Sequence, residues 1–149
     1  MSYKLKKKDH EHKKILVINS SPGGANSYSQ QLTRSLVNRL AASNADMIVS
    51  ERDISKGLHF IIENMIRGFY SAPETHSEIT KKELAVSDEL VNEFLNNDVF
   101  VFGIPLYNFS IPAVLKAYID LVVRAGRTFK YNGPGQMQGL AINKKAYLV

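Results

Sequence analysis

The stretch ILVINSSPGGANSYSQQLTRSLVNRL, residues 15–40, decides the fold. It opens on an unbroken apolar run, Ile15 to Ile18, of the kind that forms a parallel strand buried on both faces. Asn19, Ser20, Ser21, Pro22, Gly23 and Gly24 end that run in a loop of small and polar residues. Apolar residues then return at helical spacing, Leu32, Leu36, Val37 and Leu40, behind candidate N-caps Asn26 and Ser27. The unit is strand, loop, helix.

The same grammar repeats along the chain. A second strand is expected at Met47 to Val49, and the spacing of Leu58, Ile61, Ile62, Met65, Ile66 and Phe69 favours a helix between Ile54 and Tyr70. Ser71 to Ser77, with Pro73 inside, interrupts the pattern. Thr80 and Glu83 then have capping-box spacing ahead of Leu84, Leu90, Val91, Phe94 and Leu95. Val99 to Phe102 (VFVF) reads as a further buried strand, with Gly103 to Phe109 as its loop. Ser110 is the expected cap of the next helix, Pro112 falls in its first turn, and Gly126 is its expected stop. The glycine-rich stretch Tyr131 to Gly139 reads as loop, and Ala146 to Val149 begins a fourth strand. Strands alternating with helices imply an α/β class: a doubly wound parallel sheet with helices on both faces.

Composition restricts the chemistry. With 149 residues, 44% hydrophobic and 22% charged, one globular domain with a core is expected, and no apolar run is long enough to cross a membrane. A cytoplasmic protein follows as the expectation, the N-terminus lacking the apolar core of a secretory signal. The absence of cysteine removes thiolate catalysis, iron–sulfur clusters and thiolate zinc sites, so redox chemistry would require an organic cofactor. The net charge of +5 lies mostly in the tail: residues 1–14 hold six lysines against Asp9 and Glu11. Residues 1–13 are therefore expected to be a basic, disordered extension, with no nucleic-acid or membrane partner and with His10 and His12 solvated.

In an open doubly wound sheet, ligands sit beyond the C-terminal ends of the strands where strand order reverses. The loops after the first and third strands are therefore the informative ones. The first, NSSPGGANSYS (Asn19 to Ser29), combines two glycines with the hydroxyls of Ser20, Ser21, Ser27 and Ser29 and feeds a helix N-terminus. Free backbone N–H groups and the helix dipole make such a loop a phosphate site without lysine or metal. It lacks both G-x-G-x-x-G and G-x-x-x-x-G-K-[ST], so a mononucleotide phosphate is the better ligand, against a plain serine-rich turn capped by Ser27. The second loop, GIPLYNFSIP (Gly103 to Pro112), carries Leu106, Tyr107, Asn108 and Phe109 at the sheet edge, where a flat heteroaromatic ring could lie. Taken singly, Tyr107 and Phe109 would more often cover core. Phosphate on one loop and ring on its neighbour together describe FMN.

The run PLYNFSIPAVLKAYIDLVVRAGRTFKYN, Pro105 to Asn132, closely resembles the FMN-dependent NADH-azoreductase and NAD(P)H quinone oxidoreductase family, with its P-x-Y-N-F loop, L-K-x-Y-x-D helix and R-A-G-x-T-F-x-Y segment. Ser20 to Ser29 resembles the same family's S-S-x(5)-S-x-S phosphate loop. The resemblance implies a flavodoxin-like sheet of order 2-1-3-4 over residues 14–149, and FMN bound by Ser21, Ser27, Tyr28, Ser29, Leu106, Tyr107, Asn108 and Phe109. It also implies Phe129 in the substrate pocket, NAD(P)H as co-substrate, a quinone or azo acceptor and a homodimer. Catalysis would belong to the flavin. No catalytic side chain and no metal are expected, with His59 and His76 as surface or packing residues.

The family pattern continues past the fourth strand into another flavin loop, a fifth strand and a last helix, which this sequence does not contain, so an incomplete C-terminus is expected. Pro22, Gly23 and Gly24, and Gly103 with Ile104, also depart in detail from common members. Two alternative functions remain: a non-catalytic or inactive flavin binder, and a hydrolase of the acyl-carrier-protein phosphodiesterase type.

Overall fold

The structure, a computed structural model, describes residues 13–149 apart from Ala45. The expected basic extension lies outside the described residues but for Lys13.

Strand β1 (Lys14–Asn19) occupies the interior of a four-stranded parallel sheet. It pairs on one side with β2 (Ile48–Asp53) and on the other with β3 (Val99–Gly103), Val17 standing opposite Glu51 and Val101. Beyond β3 lies β6 (Lys145–Leu148). The main sheet thus has the order β2-β1-β3-β6, which is the expected 2-1-3-4 when only its own four strands are counted.

Alternation along β1 divides the core. Leu16 and Ile18 point to one face, where they join Phe100, Leu84, Leu90, Leu115, Tyr118 and Leu121 beneath helices α3 (Glu78–Leu95) and α4 (Ala113–Val122). Ile15 and Val17 point to the other, packing with Val99 and Val101 against Leu36, Val37 and Leu40 of α1 (Tyr28–Ala42). Each fully buried aliphatic side chain contributes about 1.5–3 kcal/mol, so β1 alone supplies several such increments. The chain is a three-layer α/β sandwich.

Several boundaries differ from the sequence reading. Strand β2 extends through Glu51, Arg52 and Asp53, because Arg52 donates to Glu93 at 2.9 Å and to Glu89 at 2.7 Å on α3, which anchors this charged edge. The helix expected from Ile54 shrinks to α2 (Glu63–Phe69). A turn in which Asp53 Oδ1 accepts from Ser55 N–H, followed by Gly57 at φ +108, keeps the preceding chain extended. Helix α3 starts at Ser77, whose hydroxyl accepts the Thr80 N–H at 3.1 Å; the Thr80–Glu83 box is not the cap.

Helix α4 starts behind Pro112, while Ser110 closes a turn with Tyr107. Its end comes at Val122, before Gly126, because the Thr128 hydroxyl donates to the Val122 carbonyl at 2.9 Å and accepts the Arg124 N–H at 2.8 Å. The stretch expected as loop is a hairpin of β4 (Phe129–Gly133) and β5 (Gln136–Gly139), joined through Pro134 and Gly135, with Gly135 at φ +71. Proline followed by a left-handed glycine is a favoured turn, which closes the hairpin where the strand pattern itself is weak. Among the described residues no helix is long and apolar enough to cross a membrane.

Candidate functional site

Both informative loops leave the same end of the sheet from neighbouring strands. They are clamped together: Ser20 donates to the Gly103 carbonyl through its N–H at 3.2 Å and through its hydroxyl at 2.8 Å. The chain after β2 joins them, since Ile54 N–H donates to the Asn19 carbonyl at 2.9 Å. Between these segments lies a cleft of about 440 Å3, walled by Ser20 and Pro22, by Ser55, by Tyr107 and Asn108, and by the start of α4.

The first loop presents donors at the head of a 15-residue helix. Ser27 caps α1 by accepting the Gln30 N–H at 3.3 Å, and its hydroxyl lies 3.0 Å from that of Ser29. The Ser21 hydroxyl accepts the Gly23 N–H at 3.3 Å, and the Ser21 carbonyl accepts the Gln30 side-chain amide at 3.0 Å. Ser21, Ser27 and Ser29 are buried, so the loop is fixed in shape. The N–H groups of Tyr28 and Ser29 open the helix and have no intrahelical acceptor; with the helix dipole they form an anion site. The Tyr28 ring points into solvent. Gly24 takes φ +53, which admits the tight turn before the helix.

The second loop is a turn closed on both sides, Tyr107 and Ser110 exchanging N–H···O bonds at 3.0 Å. Asn108 at φ +50 and Phe109 at φ +64 occupy its tip. A left-handed backbone is disfavoured for an aromatic residue by about 1–2 kcal/mol, and Phe109 is fully exposed, so burial of its own ring does not offset that strain. Leu106 is exposed beside it. Gly103, at the loop's root, must be glycine: a Cβ would stand 2.8 Å from Asn19 Oδ1 and 2.9 Å from Thr33 Oγ1.

Of the residues singled out from sequence, Tyr107 and Asn108 wall the cleft, and Ser21, Ser27 and Ser29 form the serine cradle at the α1 N-terminus. Leu106, Phe109 and Tyr28 are exposed on the same loops. Phe129 is elsewhere. It lies beyond the far end of α4, about 15 Å of helix from Pro112, in an apolar cleft of about 300 Å3 with Phe94, Tyr118 and Val122. Ser20, read from the sequence as one of the loop's hydroxyl donors, lines the cleft, while sequence reasoning passed over Ser55; the rule that ligands sit beyond strand ends could have pointed to it, since it follows β2.

A phosphate-bearing planar group suits this donor set. The cleft's lining combines Ser20 and Ser55 with an apolar and amide wall, none of it acidic or a histidine. The serine cradle at the head of α1 lies on the same loop as Ser20 and Pro22 without lining the cleft itself. A family model described as a flavodoxin-like fold matches residues 13–149. The chain belongs to that family. The flavodoxin-like chain is 42% identical over 127 residues to FMN-dependent NADH:quinone oxidoreductase 2 of Jannaschia sp. (strain CCS1), covering 85% of this chain and 62% of the relative. It is 40% identical to the FMN-dependent NADH:quinone oxidoreductase of Beijerinckia indica, covering 92% and 68%. The crystal structure of azoreductase from Bacillus anthracis superposes with a TM-score of 0.82 at 36% identity, over 91% of this chain and 67% of that one. The kinship read from Pro105 to Asn132 is therefore borne out, and the chain spans less than two thirds of the length of the Jannaschia relative.

Proposed function

We propose that this chain forms the FMN-binding part of a cytoplasmic, homodimeric oxidoreductase that passes electrons from NAD(P)H to quinones and azo compounds. The supporting observation is the cleft between the two clamped loops, with Tyr107 and Asn108 along its wall and with Ser20 and Pro22, from the loop that carries the serine cradle, in its lining. Ser21, Ser27 and Ser29 would hold the phosphate with the first-turn N–H groups of α1. Leu106 to Phe109 would edge the ring, the strained turn presenting its backbone to the ring's rim. When bound, FMN would supply the redox chemistry between the nicotinamide donor and the acceptor. The protein contributes placement and a wall that limits water.

Phe129 requires a second copy in this reading, because its own chain places it at the other end of α4 from the cleft. The hydrolase alternative finds no histidine or carboxylate among the cleft's lining residues. Titrating FMN while recording visible absorbance, then adding NADH and a benzoquinone, tests the proposal. A bound-flavin spectrum that bleaches with NADH and recovers with quinone is the expected result, and flavin that remains free in solution would overturn it for this chain.

A further inference from the structure

Away from both of those clefts, the chain after α2, the middle of α3 and the turn after α4 enclose a further cavity of about 330 Å3. Its charged lining is predominantly cationic. Arg124 Nη1 donates to Asp88 Oδ1 at 2.5 Å, and Arg127 Nη1 lies 3.6 Å from the same oxygen. Two guanidiniums thus share one carboxylate, the only acidic group in the lining, which leaves one positive charge in excess.

Arg124 is 7% exposed and lies over the Phe69 ring at 4.5 Å. Its Nη1 also donates to the Ser87 hydroxyl at 3.2 Å, yet its Nε has no acceptor. Native interiors keep few buried donors unpaired, and an unpaired donor on a charged group is among the costliest. His76 Nε2 and the Ser71 hydroxyl, 3.1 Å apart, add further hydrogen-bonding groups to the lining. Gly126 turns there at φ +75 with open space where a Cβ would stand.

We propose that this cavity binds a small oxyanion, a carboxylate or phosphate group, between Arg124, Arg127, Ser71 and His76. Guanidinium forks match the paired oxygens of both groups. One negative charge completes the local balance that Asp88 leaves open. Arg127 is placed to turn inward, since its Nη2 contact to Asn92 Oδ1 at 2.6 Å is on the exposed surface. None of these residues lines the cleft between the two sheet-end loops, so the site stands apart from the proposed flavin phosphate.

The test adds inorganic phosphate, and separately acetate, to the chain in the presence of FMN, following the imidazole resonances of His76 by proton NMR. His76→Gln assigns those signals by their loss, and the serine cradle contains no histidine to confuse them. A saturable shift with either anion is expected, phosphate or acetate identifying the preferred group. Arg127→Gln should weaken it about tenfold, the loss of one charge-assisted contact. Ser71→Ala, outside the ion pairs, should weaken it as well. No saturable shift with either anion, an equal shift with sodium chloride at matched ionic strength, or unchanged binding in both variants would overturn the proposal. The readout does not depend on whether FMN binds.

Discussion

The Gly103 carbonyl accepts two hydrogen bonds from Ser20, one from its N–H and one from its hydroxyl, and so ties the end of β3 to the loop after β1. The tie depends on close backbone approach, which leaves no room for a side chain: a Cβ at position 103 would press on Asn19 Oδ1 and Thr33 Oγ1. Gly103→Ala should lower stability by about 1–3 kcal/mol, the usual cost of overpacking a tight site. It should also weaken FMN binding, because the two loops can no longer keep their spacing. Urea denaturation checks the first effect and flavin titration the second; an unchanged urea midpoint would show that the contact relaxes freely.

Ser27 has two separable roles. Its hydroxyl caps α1 through Gln30 N–H and meets Ser29 Oγ at 3.0 Å in the cradle. Ser27→Ala removes both and should cost about 1 kcal/mol of stability as well as flavin affinity. Ser27→Asp keeps a good cap while placing a negative charge where the phosphate would sit. Stability near wild type with FMN binding lost is therefore expected for Ser27→Asp. Flavin bound equally well by Ser27→Asp would place the phosphate elsewhere.

Phe109 carries a left-handed backbone with its ring fully in solvent. Phe109→Gly should then stabilise the chain without FMN by about 1 kcal/mol, since glycine takes that conformation without strain. Flavin retention should fall, because the preset turn loses its rigidity and its apolar edge. Calorimetric melting with and without FMN reads both effects, and a destabilised apo variant would mean that the Phe109 ring supports the fold.

What the sequence made legible is what burial enforces. Ile15 to Ile18 and Val99 to Phe102 are apolar without interruption because both faces of the sheet are covered, and from them the buried parallel strands follow, whereas the strand order came from the family resemblance. Ser27 is visible as a cap for the same local reason. The hairpin was invisible because β5 is exposed along its whole length, so no inside–outside alternation marks it. The end of α4 depends on Thr128, six residues past Val122, a contact no helix-stop rule contains. The α3 cap was misplaced by three residues: Thr80 has the capping-box spacing, but the cap is Ser77, whose hydroxyl lies 3.0 Å from that of Thr80, and only the fold makes that choice. The tilt of the Tyr107–Ser110 turn, which makes Asn108 a wall and leaves Phe109 outside, arises from a pair of backbone bonds and not from residue type.

Tyr118 gives a pH dependence with a definite sign. Its ring is buried under the sheet and its hydroxyl has no partner, so burial pushes the phenol well above its ordinary range, with Glu93 adding to the effect. In the unfolded chain the phenol ionises near pH 10; in the fold it stays protonated to higher pH. Between those limits the unfolded state binds fewer protons, so stability is fully present below about pH 10 and falls as pH rises further. Tyr118→Phe removes the titrating group and an unpaired hydroxyl together. At neutral pH the variant should be as stable as the parent or more so by about 1 kcal/mol, because no hydrogen bond is lost. Above pH 10 its urea midpoint should decline less steeply than that of the parent. Parallel declines would mean that the hydroxyl reaches water in solution, and a large loss at neutral pH would mean that it has a partner there.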